Sequence, residues 1–352
     1  MKLSPKVELP HSRRKFIQKS SLALASGLLI PNINFGYSKD SDTVGHGDFT
    51  YKVHKGWGTQ DPTIYPVKDC HEMVQDAQGR LILLTNETRN NILFYDRSGK
   101  VEKSWGHDFP GAHGLSLHDE NGEEFLYITD HDRHQVFKTS LDGQILLTLD
   151  YPKETGQYES PEQYRPTETA IGPNGDIYVV DGYGKSFVIQ YSPEGEYIRH
   201  FGGTGEGDNQ LKQAHGICLD SRGEAAELII TSRLAHEYKR FSLDGEHLNT
   251  ISAANCWINR PVIKGDNLYF SVLRTESRKD YDGLVVVFDG KDQMVSAPGG
   301  SAPEYQDGVL QSIKYDGQTF MNPHDVCIDE DENIYIPQWN SEKTYPVKLE
   351  RI

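Results

Sequence analysis

The sequence predicts an all-β protein: a six-bladed β-propeller of four-stranded blades, the last blade closed by an N-terminal strand. Three observations carry this: a unit that recurs six times, a strand-and-turn pattern inside each unit, and a last unit one strand short. The clearest unit begins Glu168-Thr169-Ala170-Ile171. It continues through Pro173-Asn174-Gly175, Asp176-Ile177-Tyr178-Val179-Val180-Asp181, Val188-Ile189-Gln190-Tyr191, Ser192-Pro193-Glu194-Gly195 and Tyr197-Ile198-Arg199-His200-Phe201-Gly202. Short runs rich in Val, Ile and Tyr, separated by Gly-containing clusters, read as strands joined by tight turns. The same order recurs from His71 (HEMVQD, RLILLTN, NILFYD, KVEKSWG), His113 (HGLSL, FLYITD, HQVFKTS, QILLTL) and His215 (HGICLD, ELIITS, YKRFS, EHLNTI). It recurs again from Arg260 (RPVIKGDNLYFSV, LVVVFDG) and His324 (HDVCIDEDENIYIPQW, TYPVKLERI).

The six starts are 42, 55, 47, 45 and 64 residues apart, a period at which four-stranded units form propeller blades. A solenoid, the runner-up, calls for capping ends and more even spacing. The sixth unit ends after three strands. Phe49-Thr50-Tyr51-Lys52-Val53 runs on to Trp57-Gly58, much as the first unit ends in Trp105-Gly106 and the third in Phe201-Gly202. Residues 49–58 are therefore expected to supply the missing outer strand and to remove a free sheet edge. The propeller is expected as one domain over residues 45–352.

Composition narrows the partners. Of 352 residues, 36% are apolar and 25% charged, and the 33 glycines bring the core-forming fraction to an ordinary globular value. Acidic residues outnumber basic ones 52 to 36, a formal charge of −16. Binding to a phosphate backbone needs a basic footprint, so neither nucleic acid nor an anionic membrane surface is expected as a partner. Four cysteines do not make a disulfide scaffold.

Residues 1–40 stand apart. Ser12-Arg13-Arg14-Lys15-Phe16-Ile17 precedes an apolar stretch over 22–31 and resembles a twin-arginine (Tat) export signal. That stretch is well short of the ~20 residues of a spanning helix, and no cysteine ends it, so no stable membrane anchor is expected. Engagement of the Tat export machinery, and a periplasmic or secreted mature protein, follow.

In a propeller the innermost strand of each blade lines the central channel. The leading residues are His71, His113, Glu168, His215, Arg260 and His324. His113, His215 and His324 lead alternate blades, so their imidazoles are expected to form a triangle about the axis. Three imidazoles with one open position suit a catalytic zinc; the bland alternative is a histidine that only bonds its own loop. His71 breaks the alternation and is expected to bind substrate or to be structural. Glu168 and Arg260 face the same channel, either paired or holding a polar substrate. Cys70, beside His71, is a further candidate ligand, while Cys218 and Cys327 read as small buried fillers. The glycine-rich 202–207 loop has no following helix or Lys-Ser/Thr and is not a phosphate loop.

Several of these segments go together: HGLSL at 113–117, TDHDRHQVFK at 129–138, RPTETAI at 165–171, DGYGKS at 181–186 and NPHDV at 322–326. In order and spacing, over about residues 50–350, they resemble peptidyl-alpha-hydroxyglycine alpha-amidating lyase of the NHL-repeat class, the lyase domain of peptidylglycine alpha-amidating enzymes. The resemblance implies zinc on His113, His215 and His324, a catalytic Tyr183, and a second catalytic group, Arg233. It also implies a structural calcium at Asp325 and the backbone near Leu115. In the implied reaction a tyrosine base takes the hydroxyl proton of a carbinolamide and the C–N bond breaks, giving an amide and an aldehyde acid. A phenol ordinarily titrates near ~10, so such a base needs a cation beside it.

The departures fall on the substrate side. Where the family has an arginine in its first blade, this chain reads Leu84-Thr85-Asn86-Glu87-Thr88-Arg89, with Arg89, the nearest substrate-binding candidate, three residues on. Gly184 replaces a cysteine, Asn322 replaces a methionine, and His71 is an addition. Three functions stay open: a zinc lyase of this kind, an exported metal-dependent lyase or hydrolase acting on carbohydrate, and a non-catalytic binding propeller. The substrate is accordingly a small molecule, a peptide or a saccharide.

Overall fold

The computed structural model describes residues 42–275, 282–315 and 319–352; the signal-like segment lies outside the described residues. Six antiparallel sheets form the blades of a propeller. Blade 1 comprises Cys70–Gln75, Leu81–Thr85, Ile92–Tyr95 and Val101–Trp105. Blade 2 comprises Ala112–Glu120, Glu123–Asp130, Gln135–Ser140 and Ile145–Leu149. Blade 3 comprises Glu168–Ile171, Ile177–Val180, Phe187–Tyr191 and Tyr197–Gly202. Blade 4 comprises Ala214–Asp220, Glu227–Ser232, Glu237–Ser242 and His247–Ser252. Blade 5 comprises Val262–Lys264, Asn267–Val272, Leu284–Phe288 and Met294–Ser296. Second strands such as Leu81–Thr85 and Ile177–Val180 are buried along their whole length, because neighbouring blades cover both faces.

Blade 6 takes Cys327–Ile328, Ile334–Ile336 and Val347–Arg351 from the C-terminal end and Phe49–His54 from the N-terminal end. Tyr51 pairs with Arg351 and His54 with Lys348, so the last blade is closed by the N-terminal strand. The strand stops at His54, short of the expected residue 58, and a hairpin adds Thr43–His46 outside it as a fifth strand. Trp57 instead crosses onto blade 1. Its indole N–H donates to the Arg97 carbonyl at 3.2 Å, as the Trp105 indole donates to Leu141 of blade 2 at 3.0 Å. Each tryptophan covers a left-handed hairpin glycine, Gly99 (φ 91°) or Gly143 (φ 87°). A Cβ there would lie 3.0 Å from the Trp57 indole nitrogen or 2.8 Å from the Trp105 ring. The recurrent Trp-Gly signal is thus a latch between consecutive blades, and Trp57 is the copy that spans the ring closure.

The two long spacings hold insertions. Two single 3₁₀ turns, Lys153–Thr155 and Pro161–Gln163, separate blades 2 and 3, and a small hairpin, Tyr305–Gln306 with Val309–Leu310, separates blades 5 and 6. Among the described residues no helix is long and apolar enough to cross a membrane.

One detail of register corrects the sequence expectation. Glu168 and Arg260 are expected level with the four histidines, but strand pairing moves both by one residue. In blades 2 and 4 a His–Gly pair bulges between paired positions, Ala112↔Asp130 and Leu115↔Ile128, and Ala214↔Ser232 and Ile217↔Ile230. In blade 1 only His71 lies between Cys70↔Thr85 and Glu72↔Leu84. In blade 3 Glu168 pairs with Val180 and the Thr167 N–H donates to the Val180 carbonyl; in blade 5 Asn259 donates to Ser271. One axial layer is therefore His71, His113, Thr167, His215, Asn259 and His324. The next is Glu72, Gly114, Glu168, Gly216, Arg260 and Asp325.

Candidate metal centre

The first layer brings four imidazoles together. Ring centroids of His113, His215 and His324 lie 4.7–5.1 Å apart, and His71 lies 5.0 Å from His113 and 4.7 Å from His324. Ligating nitrogens of His71, His113 and His324 all lie within 4.8 Å of one another. The neighbouring blade fixes two tautomers. His113 Nδ1–H donates to the Thr167 carbonyl at 2.8 Å and His324 Nδ1–H to the His71 carbonyl at 3.0 Å, which makes Nε2 the unprotonated nitrogen of each neutral ring. His215 Nδ1 and both ring nitrogens of His71 are buried without a hydrogen-bond partner.

Burial is the first cause of depressed basicity at all four rings. It holds His113 and His324 well below the usual histidine range with help from neighbouring imidazoles, His215 with help from Arg233, and His71 down to about 3. All four are neutral at neutral pH, the form that ligates a metal. Clustered neutral imidazoles, two of them with unpartnered ring nitrogens, fit a divalent ion such as zinc.

Antiparallel geometry puts the loop after each second strand over this layer. Tyr183 follows the second strand of blade 3, and its hydroxyl lies 3.0 Å from His113 Nε2 and 3.1 Å from His215 Nε2. Arg233 holds the equivalent place in blade 4. It is buried, its Nε donates to Gln213 at 2.8 Å, one terminal nitrogen to Asn259 at 3.1 Å and the other to the Tyr183 hydroxyl at 3.4 Å. The Tyr183 turn is pinned by Asp181, whose carboxylate accepts from the Tyr158 hydroxyl and from the backbone of Arg165 and Lys185 at 2.6–2.7 Å.

Sequence reasoning missed His131 and Arg165. His131 is the blade 2 counterpart of Arg233, with its ring 5.9 Å from His113 and 5.7 Å from Tyr183. The Arg165 guanidinium lies 2.9 Å from His131 Nδ1 and 3.3 Å from Asp132. Aligning the repeats on the residue after the second strand would have found His131. Arg89 is not brought into the group. It is exposed and doubly bonded to Glu87 at 2.8 and 3.0 Å. The Cys70 thiol donates to the Thr344 carbonyl at 3.5 Å, and burial keeps it protonated.

The second layer is an ion cluster. Arg260 donates to both Asp325 oxygens, at 3.0 and 2.6 Å, and to the Met73 carbonyl at 2.9 Å, and lies 3.6 Å from Glu72 and 3.8 Å from Glu168. Glu168 and Arg260 thus lie 3.8 Å apart, one layer below the imidazoles. Burial raises Glu72, Glu168 and Asp325 above the usual carboxylate range, and Arg260 opposes that rise in each. A calcium ion does not fit here. Asp325 is already held by the guanidinium and by the Met73 N–H at 2.9 Å, and the Leu115 N–H donates to Glu72 at 2.7 Å. The cation of this layer is Arg260.

No protein-family model matches the chain. Among curated proteins, peptidyl-alpha-hydroxyglycine alpha-amidating lyase 1 of Drosophila melanogaster is 27% identical over 267 residues, covering 69% of this chain and 46% of the fly protein. Human NHL repeat-containing protein 3 is 26% identical over 182 residues, covering 49% of this chain and 52% of that protein. Peptidyl-glycine alpha-amidating monooxygenase B of Xenopus laevis is 26% identical over 256 residues, with coverages of 70% and 27%. The chain spans about half the length, or less, of these relatives. Among solved structures, a streptogramin B lyase superposes with a TM-score of 0.55 at 13% identity, covering 81% of this chain and 94% of its own. A gluconolactonase of Xanthomonas campestris superposes with 0.57 at 14% identity, covering 85% and 89%. These structural likenesses establish the propeller fold, and the sequence relatives a distant kinship with amidating lyases.

Proposed function

We propose that the chain is a zinc-dependent lyase of the amidating type that cleaves the C–N bond of a carbinolamide-like substrate, with His113, His215 and His324 as metal ligands. The observation that carries this reading is the position of the Tyr183 hydroxyl, 3.0 and 3.1 Å from two of the three imidazoles and 3.4 Å from the Arg233 guanidinium. A bound divalent ion supplies a Lewis acid that acidifies a coordinated hydroxyl. Tyr183, acting as a phenolate with the Arg233 guanidinium beside it, would take that proton and become the neutral phenol. The hydroxyl oxygen then becomes a carbonyl, the C–N bond breaks, and the proton held at Tyr183 passes to the leaving amide nitrogen. Asp181 positions the tyrosine, while Gln213 and Asn259 fix the plane of Arg233.

A peptidyl-hydroxyglycine substrate tests the reading directly. Purified protein is expected to hold one zinc and to release glyoxylate, and His215→Ala is expected to lose both. Arg89 is bonded to Glu87 outside the group, so the first-blade arginine implied for a peptide substrate has no counterpart at that place, and the second guanidinium near the group is that of Arg165, beside His131. That observation favours a second reading, a metal-dependent lyase or hydrolase acting on a saccharide; zinc retained with no glyoxylate released selects it. Protein without metal is a binding propeller. Export by the twin-arginine route to the periplasm or medium is part of the proposal, and Arg13→Lys with Arg14→Lys is expected to keep the protein in the cytoplasm.

A further inference from the structure

We infer that His71 is a fourth metal ligand, so that the ion is held by imidazoles from blades 1, 2, 4 and 6 instead of by the alternate three alone. The inference rests on the metal reading above and deepens it.

His71 occupies the same axial layer as the other three histidines, and its ligating nitrogen lies within 4.8 Å of those of His113 and His324. It is 2% exposed, and neither ring nitrogen has a hydrogen-bond partner. Buried polar atoms are normally satisfied, and each one left unmet costs about 1–3 kcal/mol. An imidazole with two such atoms is a poor core filler, since an apolar side chain would fill the same space without that cost. An ion at the axis satisfies the lone pair that no protein group meets.

Its backbone points the same way. The His71 carbonyl takes the Nδ1–H of His324 at 3.0 Å, so one residue orients a neighbouring ligand and offers its own ring to the same centre. The two positions of the layer without an imidazole are Thr167 and Asn259. These two positions flank His215; Asn259 accepts from Arg233, and Arg233 donates to Tyr183, so the candidate base and its guanidinium stand at this part of the layer. Four neutral imidazoles leave the ion's charge undiminished and favour late first-row divalent ions, zinc among them.

X-ray absorption on the zinc-loaded full-length protein counts imidazoles without any substitution: four are expected, and three overturn the inference. Cobalt(II) titrated into the metal-free protein gives the second measurement. His71→Ala is expected to bind cobalt at least tenfold more weakly with an altered visible spectrum, and added free imidazole is expected to restore the spectrum. A His71→Ala spectrum and affinity equal to wild type overturn the inference while leaving the three-histidine reading intact. A wild-type protein that holds no ion overturns both. Should His71→Ala fail to fold, the absorption count on wild type still decides.

Discussion

Replacing Arg260 by Met removes the cation of the second layer and leaves three carboxylates buried around it. Arg260 makes two bonds to Asp325 at 3.0 and 2.6 Å and lies within 3.8 Å of Glu72 and Glu168, all three at most 1% exposed. Removing one partner of a buried ion pair costs about 3–5 kcal/mol. At the scale of a large domain that lowers the melting midpoint by on the order of 6–10 °C at neutral pH. The direction with pH follows from linkage. These carboxyls are raised in the folded protein, and Arg260 opposes the rise in each, so folded Arg260→Met binds more protons than folded wild type. Its deficit therefore shrinks toward acid pH, as the carboxyls take up protons in both, and grows as pH rises, by ~1.4 kcal/mol per pH unit for each extra proton bound. Calorimetry or urea unfolding at pH 5 and pH 8 reads both the size and the slope. Added calcium is expected to leave the wild-type midpoint unmoved and to raise that of Arg260→Met. A midpoint loss under ~2 °C, a loss equal at the two pH values, or a wild-type gain with calcium would refute the assignment of Arg260 as the layer's own cation.

Other consequences can be checked separately. Tyr183→Phe is expected to lower kcat by about 10²–10⁴ with zinc content unchanged, measured by turnover and metal analysis on the same sample. Trp57→Ala opens the latch between blades 6 and 1, where the ring packs 5.4 Å from Tyr95 and 4.6 Å from Tyr335. It should cost about 3–5 kcal/mol in equilibrium unfolding. Burial pushes the Asp181 carboxyl up to about 6, so folded protein keeps that proton between pH ~4 and ~6 and its contribution to stability falls across that window as pH rises, by about 3 kcal/mol in total. Asp181→Asn removes this slope, and a wild-type-minus-variant stability difference that stays constant from pH 4 to 7 would exclude it.

The blades are legible because each carries its own punctuation: Asp142-Gly143 and Ser98-Gly99 need left-handed glycines, and Trp105 and Trp57 need those glycines to be bare. The imidazole layer is legible because His113, His215 and His324 keep one place in the repeat. The one-residue shift of Glu168 and Arg260 is not, because it comes from His–Gly bulges in blades 2 and 4, and a bulge leaves no period in the sequence. Gly114 and Gly216 are the trace it does leave. A Cβ at Gly216 would sit 2.5 Å from the Arg260 Cα, and one at Gly114 would sit 2.4 Å from the Thr167 carbonyl oxygen. The fifth strand at Thr43–His46 escapes because a four-residue edge strand with one buried side chain shows no alternation.

The two layers also explain how a ring closed by a single strand stays closed. Outside, Trp57 ties the N-terminal strand of blade 6 to blade 1. Inside, Arg260 of blade 5 grips Asp325 of blade 6 and the Met73 carbonyl of blade 1, and Asp325 accepts the Met73 N–H across the same seam. The inner tie needs a charge, and a charge at the axis is tolerable only because Glu72 and Glu168 converge on it from either side of Gly114. That cluster fills the channel beneath the histidines. The imidazole layer consequently faces the loops that bear His131, Tyr183 and Arg233, so the groups that could hold a metal and the groups able to move a proton face each other at one end of the channel, while the seam of the propeller is tied at the level below.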